Sequence, residues 1–465
     1  MKQRLLVISL LITGLTVTTV IAQTNSNMDL LGGDNTVFDD SEEAFTNPLP
    51  LLTTAELELF EEGDEAFERV WDNRDGLGPI FNAVSCESCH VEDGRGRPPA
   101  FTGETGTGLL LRLSNTEQTA DGFTFPDIIY GGQFQDDSGR NTESEGTIAI
   151  SYQEINGTYA DGTPYTLMQP IYSLTDLNYG EVHGLTTLSP RLAGQMIGLG
   201  LLEAIPEETL LALSDPDDAD GDGISGRLNM VWDIMSGTFS VGRFGWKANQ
   251  PNLLQQSAAA FNGDIGITTS LFPDQPCTDV QDCVDAVRNG RGNRNNNRNN
   301  NANQVEVDDE ELELVTFYSS TLAVPAQRNA DDPQVIQGQA LFESANCSSC
   351  HVETIQTGTH ETIPALSNQT IHPYTDLLLH DMGEGLADGQ VDFQASGTEW
   401  RTPALWGIGL LEEVNGYAFY LHDGRASTLE EAIIWHGGEA EASRDAFLNM
   451  NADERDALIA FLQSL

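Results

Sequence analysis

The chain has 465 residues, of which 39% are hydrophobic, and its 72 acidic and 21 basic side chains give a formal net charge of −51. This length suffices for two or three domains and this hydrophobic content for packed cores, which excludes a wholly disordered chain. The acidic balance argues against nucleic acid as a partner, because a phosphate backbone needs a basic surface.

Residues 1–22 have the pattern of a secretory signal peptide. Lys2 and Arg4 precede an apolar stretch, and a small-residue cleavage site ends at Ala22. We therefore predict a periplasmic or otherwise exported protein, with an uncleaved membrane anchor as the alternative. Residues 23–50 are predicted to form a polar N-terminal segment.

Two amphipathic helices are predicted, and each runs into a Cys-x-x-Cys-His sequence. The first covers residues 54–72 and the second begins at Pro333. Their apolar faces are Leu57, Phe60, Phe67 and Val70 in the first helix and Val335, Leu341 and Phe342 in the second.

The two Cys-x-x-Cys-His sequences, "SCESCHVED" and "NCSSCHVET", are the strongest chemical signal in the chain. Two thiols three residues apart can add to the two vinyl groups of a haem, and the adjacent histidine then lies under the iron. A structural zinc site would need a second Cys or His pair, and a thioredoxin-like redox pair would require no histidine and no repeat. We predict two covalently bound haem c groups with His90 and His351 as proximal ligands. The attaching thiols are Cys86 and Cys89 in the first cluster and Cys347 and Cys350 in the second.

The two halves share a second element that follows each cluster in the same order. Residues 191–205 (RLAGQMIGLGLLEAI) are similar to residues 401–414 (RTPALWGIGLLEEV), and both contain a Gly-Leu-Leu-Glu string. Duplication of a mainly helical module explains both repeats. We predict a mainly α fold of two tandem cytochrome-c-like haem domains with long irregular loops, at residues 51–275 and 305–465.

Residues 276–304 separate the two predicted domains. Cys277 and Cys283 are close in sequence, and export to an oxidising compartment favours a disulfide between them. A further metal site is the weaker alternative, because no histidine lies nearby. The asparagine-rich stretch that follows is predicted to be a flexible linker or surface loop.

The chain closes with a predicted helix. Asn451 and Glu454 have capping-box spacing, which indicates its N-terminus. Its predicted buried residues are Leu458, Phe461, Leu462 and Leu465.

A sixth ligand for each iron is sought among the remaining histidines and methionines, because His or Met ligation sets a haem's potential. His436, in "AIIWHGGEA", is predicted to ligate the C-terminal haem, with Met382 as the rival. His183 is the only histidine of the first half besides His90. It is a candidate distal ligand of the N-terminal haem, with a surface-loop histidine as the alternative.

The loop "DPDDADGDGISGR" carries alternating acidic residues. Asp218, Asp220 and Asp222 precede Gly223 as in the first half of an EF-hand loop, which predicts a calcium site. Asn229 stands where an EF-hand has its twelfth-position glutamate, so the loop is not a full EF-hand. An acidic turn without an ion is the alternative.

Three cationic side chains are candidates to bind haem propionates. A guanidinium matches a carboxylate in a bidentate pair, which points to Arg401 and Arg425. Lys247 is the only lysine after the signal peptide, and it forms either a propionate contact or an exposed salt bridge.

These motifs resemble the di-haem oxidoreductase branch of the di-haem cytochrome c peroxidase superfamily over nearly all of the chain after residue 22. The resemblance rests on "DGLGPIFNAVSCESCHVEDGRGRPP", "GRFGWKANQPNLLQQSAAAFNGDIGITT", "HDMGEGLADG", "EWRTPALWGIG" and "YLHDGRASTLEEAIIWHGGEA", in this order. It implies that Trp246 lies between the haems and that Gln256, ten residues later, is catalytic. Asp264 is the counterpart of the family's proton-handling acid, although it lies eight and not ten residues beyond the glutamine. His436 replaces the family's distal methionine, which implies a lower potential.

The resemblance implies a peroxidase-like oxidoreductase. Electrons would enter at the C-terminal haem from a small redox protein, a cytochrome or a cupredoxin, and pass to an N-terminal haem that reduces peroxide or a related small substrate. It also implies calcium between the haem domains. The alternatives are an electron-transfer cytochrome without a substrate and a protein-modifying di-haem oxidase, and the oligomeric state, including a homodimer, stays open.

Overall fold

The structure is a computed structural model that describes residues 29–115, 124–140, 142–281 and 305–465. The predicted signal peptide, Cys283 and most of the predicted linker lie outside these residues. Within the described ranges, no helix is both long enough and apolar enough to cross a bilayer.

A helix precedes each Cys-x-x-Cys-His sequence. A short 3-10 turn begins at Val91, just after the first sequence, and another begins at Cys347, within the second. The α-helices of the described residues are α1 (Thr54–Glu68), α2 (Leu199–Glu203), α3 (Glu207–Leu213), α4 (Leu253–Ile265), α5 (Asp309–Thr321), α6 (Pro333–Ser344), α7 (Leu411–Asn415), α8 (Leu429–Ile434), α9 (Glu441–Asn449) and α10 (Ala452–Ser464).

Strands form several small sheets between the helices. In the described residues these strands are β1 (Thr36–Val37), β2 (Ile80–Phe81), β3 (Leu109–Ser114), β4 (Gln133–Phe134), β5 (Asp137–Ser138), β6 (Thr147–Thr158), β7 (Pro164–Thr175), β8 (Thr187–Leu192), β9 (Met230–Asp233), β10 (Thr238–Val241), β11 (Val324–Pro325), β12 (Ile355–Gln356), β13 (Thr370–Ile371), β14 (Leu379–Asp381) and β15 (Glu399–Arg401). β3 lies between β4 and β8 in an antiparallel sheet. β6 and β7 pair along their whole length.

The prediction of a mainly α fold is wrong, because helices make up 29% and strands 19% of the structure. Much of the strand content that the prediction lacked lies between β3 and β8, where β6 and β7 form a long hairpin. β-branched and aromatic residues recur along both strands, and such residues favour pleated backbone. Gly162, in the turn, has a φ of 87°, which suits glycine. These signals were present in the sequence.

In each half, the helix that precedes the Cys-x-x-Cys-His sequence packs against a later helix at a glycine. A methyl group on Gly63 of α1 would lie 2.7 Å from the carbonyl oxygen of Leu314 in α5. A methyl group on Gly338 of α6 would likewise collide with the backbone of Ala457 in α10. The helices approach this closely because both positions lack a side chain. The shared arrangement agrees with a duplicated module.

Helix α5 follows the linker in sequence but packs with helices that precede the linker. It contacts α1, α2 and α4. The ring of Tyr318 lies 4.8 Å from that of Phe60 and 5.3 Å from that of Phe67, measured between centroids. Although α5 lies within the predicted C-terminal domain, residues 305–465, its contacts join it to the N-terminal helices.

The described part of the predicted polar segment contributes to the core. Leu31, Phe45 and Leu49 are fully or almost fully buried. β1 pairs in parallel with β11, so residues near the N-terminus are held against the chain that leads into α6.

The predicted helix faces are confirmed in part. Leu57 is 37% exposed on α1, and Val70 is 67% exposed because α1 ends at Glu68. The capping box of Asn451 and Glu454 forms at the start of α10. Predicted apolar residues that are buried include Phe60, Phe67, Val335, Phe342, Leu458, Phe461, Leu462 and Leu465.

Candidate functional site

Each Cys-x-x-Cys-His sequence lines its own cavity. Cys86, Cys89 and His90 line the N-terminal cavity, which has a volume of about 260 Å³. The C-terminal cavity, of about 180 Å³, is lined at the corresponding place by the second cluster. The members of the second cluster that line it are Cys347, Cys350 and His351.

The two predicted proximal histidines have the same hydrogen-bonding pattern. Nδ1 of His90 lies 2.8 Å from the carbonyl oxygen of Gly194, and Nδ1 of His351 lies 2.9 Å from that of Tyr374. A carbonyl can only accept, so Nδ1 carries the proton in both rings and Nε2 is the free ligand atom. Burial lowers the pKa of His90 and lowers that of His351 to about 4, which keeps both rings neutral, as metal ligation requires.

A phenylalanine from the preceding helix lies beside each histidine. The ring centroids of Phe67 and His90 are 6.1 Å apart, and those of Phe342 and His351 are also 6.1 Å apart. The interplanar angles are 55° and 58°. The two sites are therefore built alike.

The donor set of each cavity fits a covalently attached haem. All four cluster cysteines are free thiols, and burial raises the pKa of Cys86 and that of Cys347 to about 12. Across the described chain, the only group of three or more side chains with metal-ligating atoms close together is an acidic one in the loop after α3. Neither cluster thus has the further ligands that a structural zinc ion needs.

Trp246 lines both cavities, as do Gln195 and Arg401. The indole Nε1 of Trp246 donates to the carbonyl oxygen of Leu192 at 2.7 Å, and its own carbonyl oxygen accepts from the Arg401 N–H at 2.9 Å. These backbone contacts hold the indole in the wall between the cavities.

Both residues considered for the sixth position of the C-terminal haem reach its cavity. His436 and Met382 line it together with His351. Nδ1 of His436 lies 2.7 Å from the carbonyl oxygen of Ala432, so its Nε2 is free in the same way as that of the proximal histidines. Burial lowers the pKa of His436.

The structure does not bring His183 to the N-terminal cavity. Its side chain is exposed on the loop before β8, and its backbone N–H donates to Asp127 Oδ2 at 3.0 Å. His90 is the only histidine among the described residues that line this cavity, and Met196, which the sequence analysis overlooked, is the only methionine. The backbone N–H of Met196 donates to the carbonyl oxygen of Asp93, in the turn that follows His90.

Helix α4 presents a polar face to the N-terminal cavity. Gln256 and Asp264 line it, together with the intervening Ser257 and Ala260, at spacings that share one side of a helix. Burial raises the pKa of Asp264, although the nearby guanidinium of Arg112 opposes this shift. Gln256 and Asp264, for which the resemblance implies catalytic roles, thus line the same cavity.

The sequence profile described as "Di-haem oxidoreductase, putative peroxidase" matches residues 25–121 and 130–465. The chain belongs to the di-haem oxidoreductase family. No curated protein is significantly similar to it. One solved structure, titled "Kuenenia stuttgartiensis Hydrazine Synthase Pressurized with 20 bar Xenon", aligns over 100% of both chains with 14% identity and a TM-score of 0.35.

Two of the propionate candidates in this di-haem oxidoreductase have protein partners instead. Lys247 is completely buried and lies 3.0 Å from Asp388, so it forms neither an exposed salt bridge nor part of a cavity wall. Arg425 pairs with Asp423 at 2.9 Å. Arg401 is the candidate that reaches the cavities.

His380 has two carboxylate partners at the C-terminal cavity of the di-haem oxidoreductase. Its Nε2 lies 2.8 Å from Asp376 and its Nδ1 lies 2.8 Å from Glu439. Burial alone would lower its pKa, but hydrogen bonds with Asp376, Cys350 and Glu439 raise it to about 12. Both ring nitrogens are engaged, so His380 orients its neighbours and does not present a free ligand atom.

Further cavity residues were missed by the sequence analysis. Arg191 begins the repeated string in the first half as Arg401 does in the second, so the repeat itself was a signal for Arg191. Nothing local marked the others, because they reach the cavities from distant segments. They are Arg112 and Gln195 in the N-terminal cavity and Arg95 and Gln195 in the C-terminal cavity.

The three carboxylates that lie close together in the acidic loop are not the three that were predicted to bind calcium. Oxygens of Asp215, Asp218 and Asp220 lie within 4.8 Å of one another, and Asp222 is not part of this group. Asp222 instead accepts a hydrogen bond from the Ile224 N–H at 2.8 Å. Calcium binding stays a prediction.

The disulfide prediction falls partly outside the described residues. Cys277 is disulfide-bonded. Its predicted partner, Cys283, lies in the range that the structure leaves undescribed.

Proposed function

We propose that the protein is an exported di-haem c-type oxidoreductase. Haem c would be attached through Cys86 and Cys89 in one cavity and through Cys347 and Cys350 in the other. The C-terminal haem would take electrons from a small cytochrome or cupredoxin, and the N-terminal haem would reduce peroxide or a related small substrate.

The position of Trp246 carries this proposal. Its side chain lines both cavities, so one aromatic group spans the wall between the two predicted haem sites. A purely structural tryptophan would need no access to either cavity. This placement supports electron transfer between the sites, with Trp246 as the intervening residue.

The two cavities differ in what can occupy a sixth position. The C-terminal cavity contains His436 and Met382, either of which can complete the coordination of an iron. In the N-terminal cavity the described residues offer no histidine besides His90, and a single methionine, Met196. This asymmetry supports electron entry at the C-terminal site and substrate binding at the N-terminal site.

The N-terminal cavity also contains groups that suit proton transfer. Reduction of one peroxide to two waters consumes two electrons and two protons. The raised pKa of Asp264 favours a carboxyl group that can hold and release a proton, and the amide of Gln256, on the same helix face, can position a small polar substrate. The electrons come from the redox partner.

Three steps test the proposal. A pyridine haemochrome assay on the matured protein should show two haem c groups per chain. Peroxide turnover with a reduced small cytochrome should then fall by about tenfold or more in Asp264→Asn, Gln256→Ala and Trp246→Phe, a rise of at least ~1.4 kcal/mol in the barrier. The matched control, His183→Ala, should keep the wild-type rate, because His183 is exposed on a loop outside the cavity.

The spectrum of the half-reduced protein separates the alternatives. A high-spin signal that reacts with peroxide supports the proposal. Two low-spin, six-coordinate haems in every oxidation state, without peroxide turnover, would identify an electron carrier instead. Peroxide consumption that oxidises a partner protein's side chains would identify a protein-modifying oxidase.

A further inference from the structure

Arg95 places a buried guanidinium in the C-terminal cavity although it belongs to the N-terminal haem loop. It follows His90 by five residues, is only 5% exposed, and lines the cavity of the other cluster. Its Nη2 donates to the carbonyl oxygen of Leu421 at 2.8 Å. Its Nε has no hydrogen-bond partner among the described residues.

No carboxylate of the described chain pairs with Arg95, which is unexpected in a protein with 72 acidic residues. Arg191 and Arg455, which are 7% and 5% exposed, do have such partners: Arg191 pairs with Asp392 and Arg455 with Asp161. Burial lowers the pKa of Arg95 to about 10, which still leaves it charged at neutral pH. A buried cation without a counter-charge is costly, so an anion from outside the polypeptide is the expected partner.

A second polar atom without a hydrogen bond belongs to a residue that lines the same cavity. His422 is 4% exposed, and its Nε2, which lies 3.9 Å from Asp423 Oδ2, has no hydrogen-bond partner among the described residues. Its ring is stacked on Trp400 with centroids 3.7 Å apart, which fixes its orientation. His422 directly follows Leu421, whose carbonyl oxygen binds Arg95. Arg95 and His422 thus line the same cavity, and the chain at Leu421 and His422 links them.

We propose that Arg95 and His422 form a carboxylate-binding corner of the C-terminal cavity, and that its ligand is a propionate of the C-terminal haem. This inference rests on the proposed di-haem function. A guanidinium and a carboxylate form strong charge-assisted hydrogen bonds, and pairing also removes the cost of leaving Arg95 uncompensated.

The corner connects the two haem sites. The loop that supplies His90 to the N-terminal site also supplies Arg95 to the C-terminal site. The Arg95 guanidinium carbon lies 5.2 Å from the centroid of the Trp246 ring, so the corner adjoins the residue shared by both cavities. A propionate held there keeps the C-terminal haem in a fixed position beside that indole.

The reduction potential of the C-terminal haem in the holoprotein tests the inference. A nearby cation disfavours the more positive ferric state, so Arg95→Gln should lower the potential. We expect the ratio of reduced to oxidised C-terminal haem at a fixed applied potential to fall about tenfold or more, which equals ~59 mV for a one-electron couple. Arg95→Lys keeps the charge and should shift the ratio less, and His422→Phe should change the propionate-bending bands in the resonance Raman spectrum.

Arg97→Gln is the matched control. Arg97 lies two residues from Arg95, forms a salt bridge with Glu104, and lines neither cavity. It should leave both haem potentials at their wild-type values. The potential of each haem is read from the absorption spectrum of that haem, so the test does not depend on peroxide turnover. Absence of haem in the haemochrome assay would instead refute the proposed function itself.

Two results would overturn the inference. The first is an unchanged C-terminal potential and unchanged propionate bands in Arg95→Gln with full haem content. In the second, the wild type and Arg95→Gln have equal C-terminal haem potentials without acetate, and added acetate shifts the potential of the wild type alone. That result would assign the corner to a free carboxylate. If Arg95→Gln fails to acquire haem, Arg95→Lys and His422→Phe carry the test, and wild-type potential and Raman bands in both would refute it.

Discussion

Replacing Lys247 by methionine tests how much a buried ion pair contributes to stability. Nζ of Lys247 lies 3.0 Å from Asp388, and the two side chains are 0% and 1% exposed. Nζ also donates to the carbonyl oxygens of Gln390 at 3.1 Å and Ser396 at 2.8 Å, and lies 4.3 Å from the centroid of the Trp400 ring. The ammonium group is therefore fully satisfied within the protein.

Lys247→Met preserves much of the side-chain volume but leaves the Asp388 carboxylate buried without its cation. Removing one partner of a buried ion pair costs about 3–5 kcal/mol. The Ser189 hydroxyl and the Gln390 N–H still donate to Asp388, so we expect the lower end of this range, about 3 kcal/mol. The double variant Lys247→Met/Asp388→Asn should lose less, because it leaves no buried charge.

Urea unfolding of the holoprotein, followed by circular dichroism, measures these free energies. Arg74→Met is the control, because Arg74 forms a pair with Asp72 in which the side chains are 89% and 43% exposed. Its unfolding midpoint should match the wild type. Equal losses in the Lys247 single variant and in the double variant would refute the reasoning, since the uncompensated charge would then not be the cause.

Three further outcomes are expected. His436→Met should raise the potential of the C-terminal haem in a spectroelectrochemical titration, because a methionine ligand raises it relative to histidine, and an unchanged potential would point to Met382 as the ligand. Gly338→Ala should destabilise the protein by about 1–3 kcal/mol through overpacking between α6 and α10, whereas Gly132→Ala, with open space around it, should not; equal urea midpoints would contradict this. Burial raises the pKa of Glu145 from 4.5 to about 9. The protonated carboxyl group of Glu145 therefore contributes its full stability below about pH 4.5, and this contribution is lost as the pH rises to about 9. Glu145→Gln should therefore flatten the decline of stability over this interval, and a parallel decline in both proteins would exclude Glu145 as its source.

The local chemistry of the sites was readable from the sequence. The spacing from Cys86 to His90 is fixed by covalent connection, and the apolar face of the preceding helix follows from its period. The interval between Gln256 and Asp264 placed both on one side of α4 for the same reason. Such features need only a few adjoining residues, so tertiary context changes them little.

Only the tertiary structure decided which side chains meet. It put Trp246 in the wall of both cavities, carried Arg95 from the N-terminal loop into the C-terminal cavity, and left His183 on the surface. It also brought Asp215, and not the predicted Asp222, close to Asp218 and Asp220 in the acidic loop. The physical reason is that a side chain's neighbours depend on the packing of segments far apart in sequence, and that a buried charge acquires its role from whichever counter-charge that packing supplies or withholds.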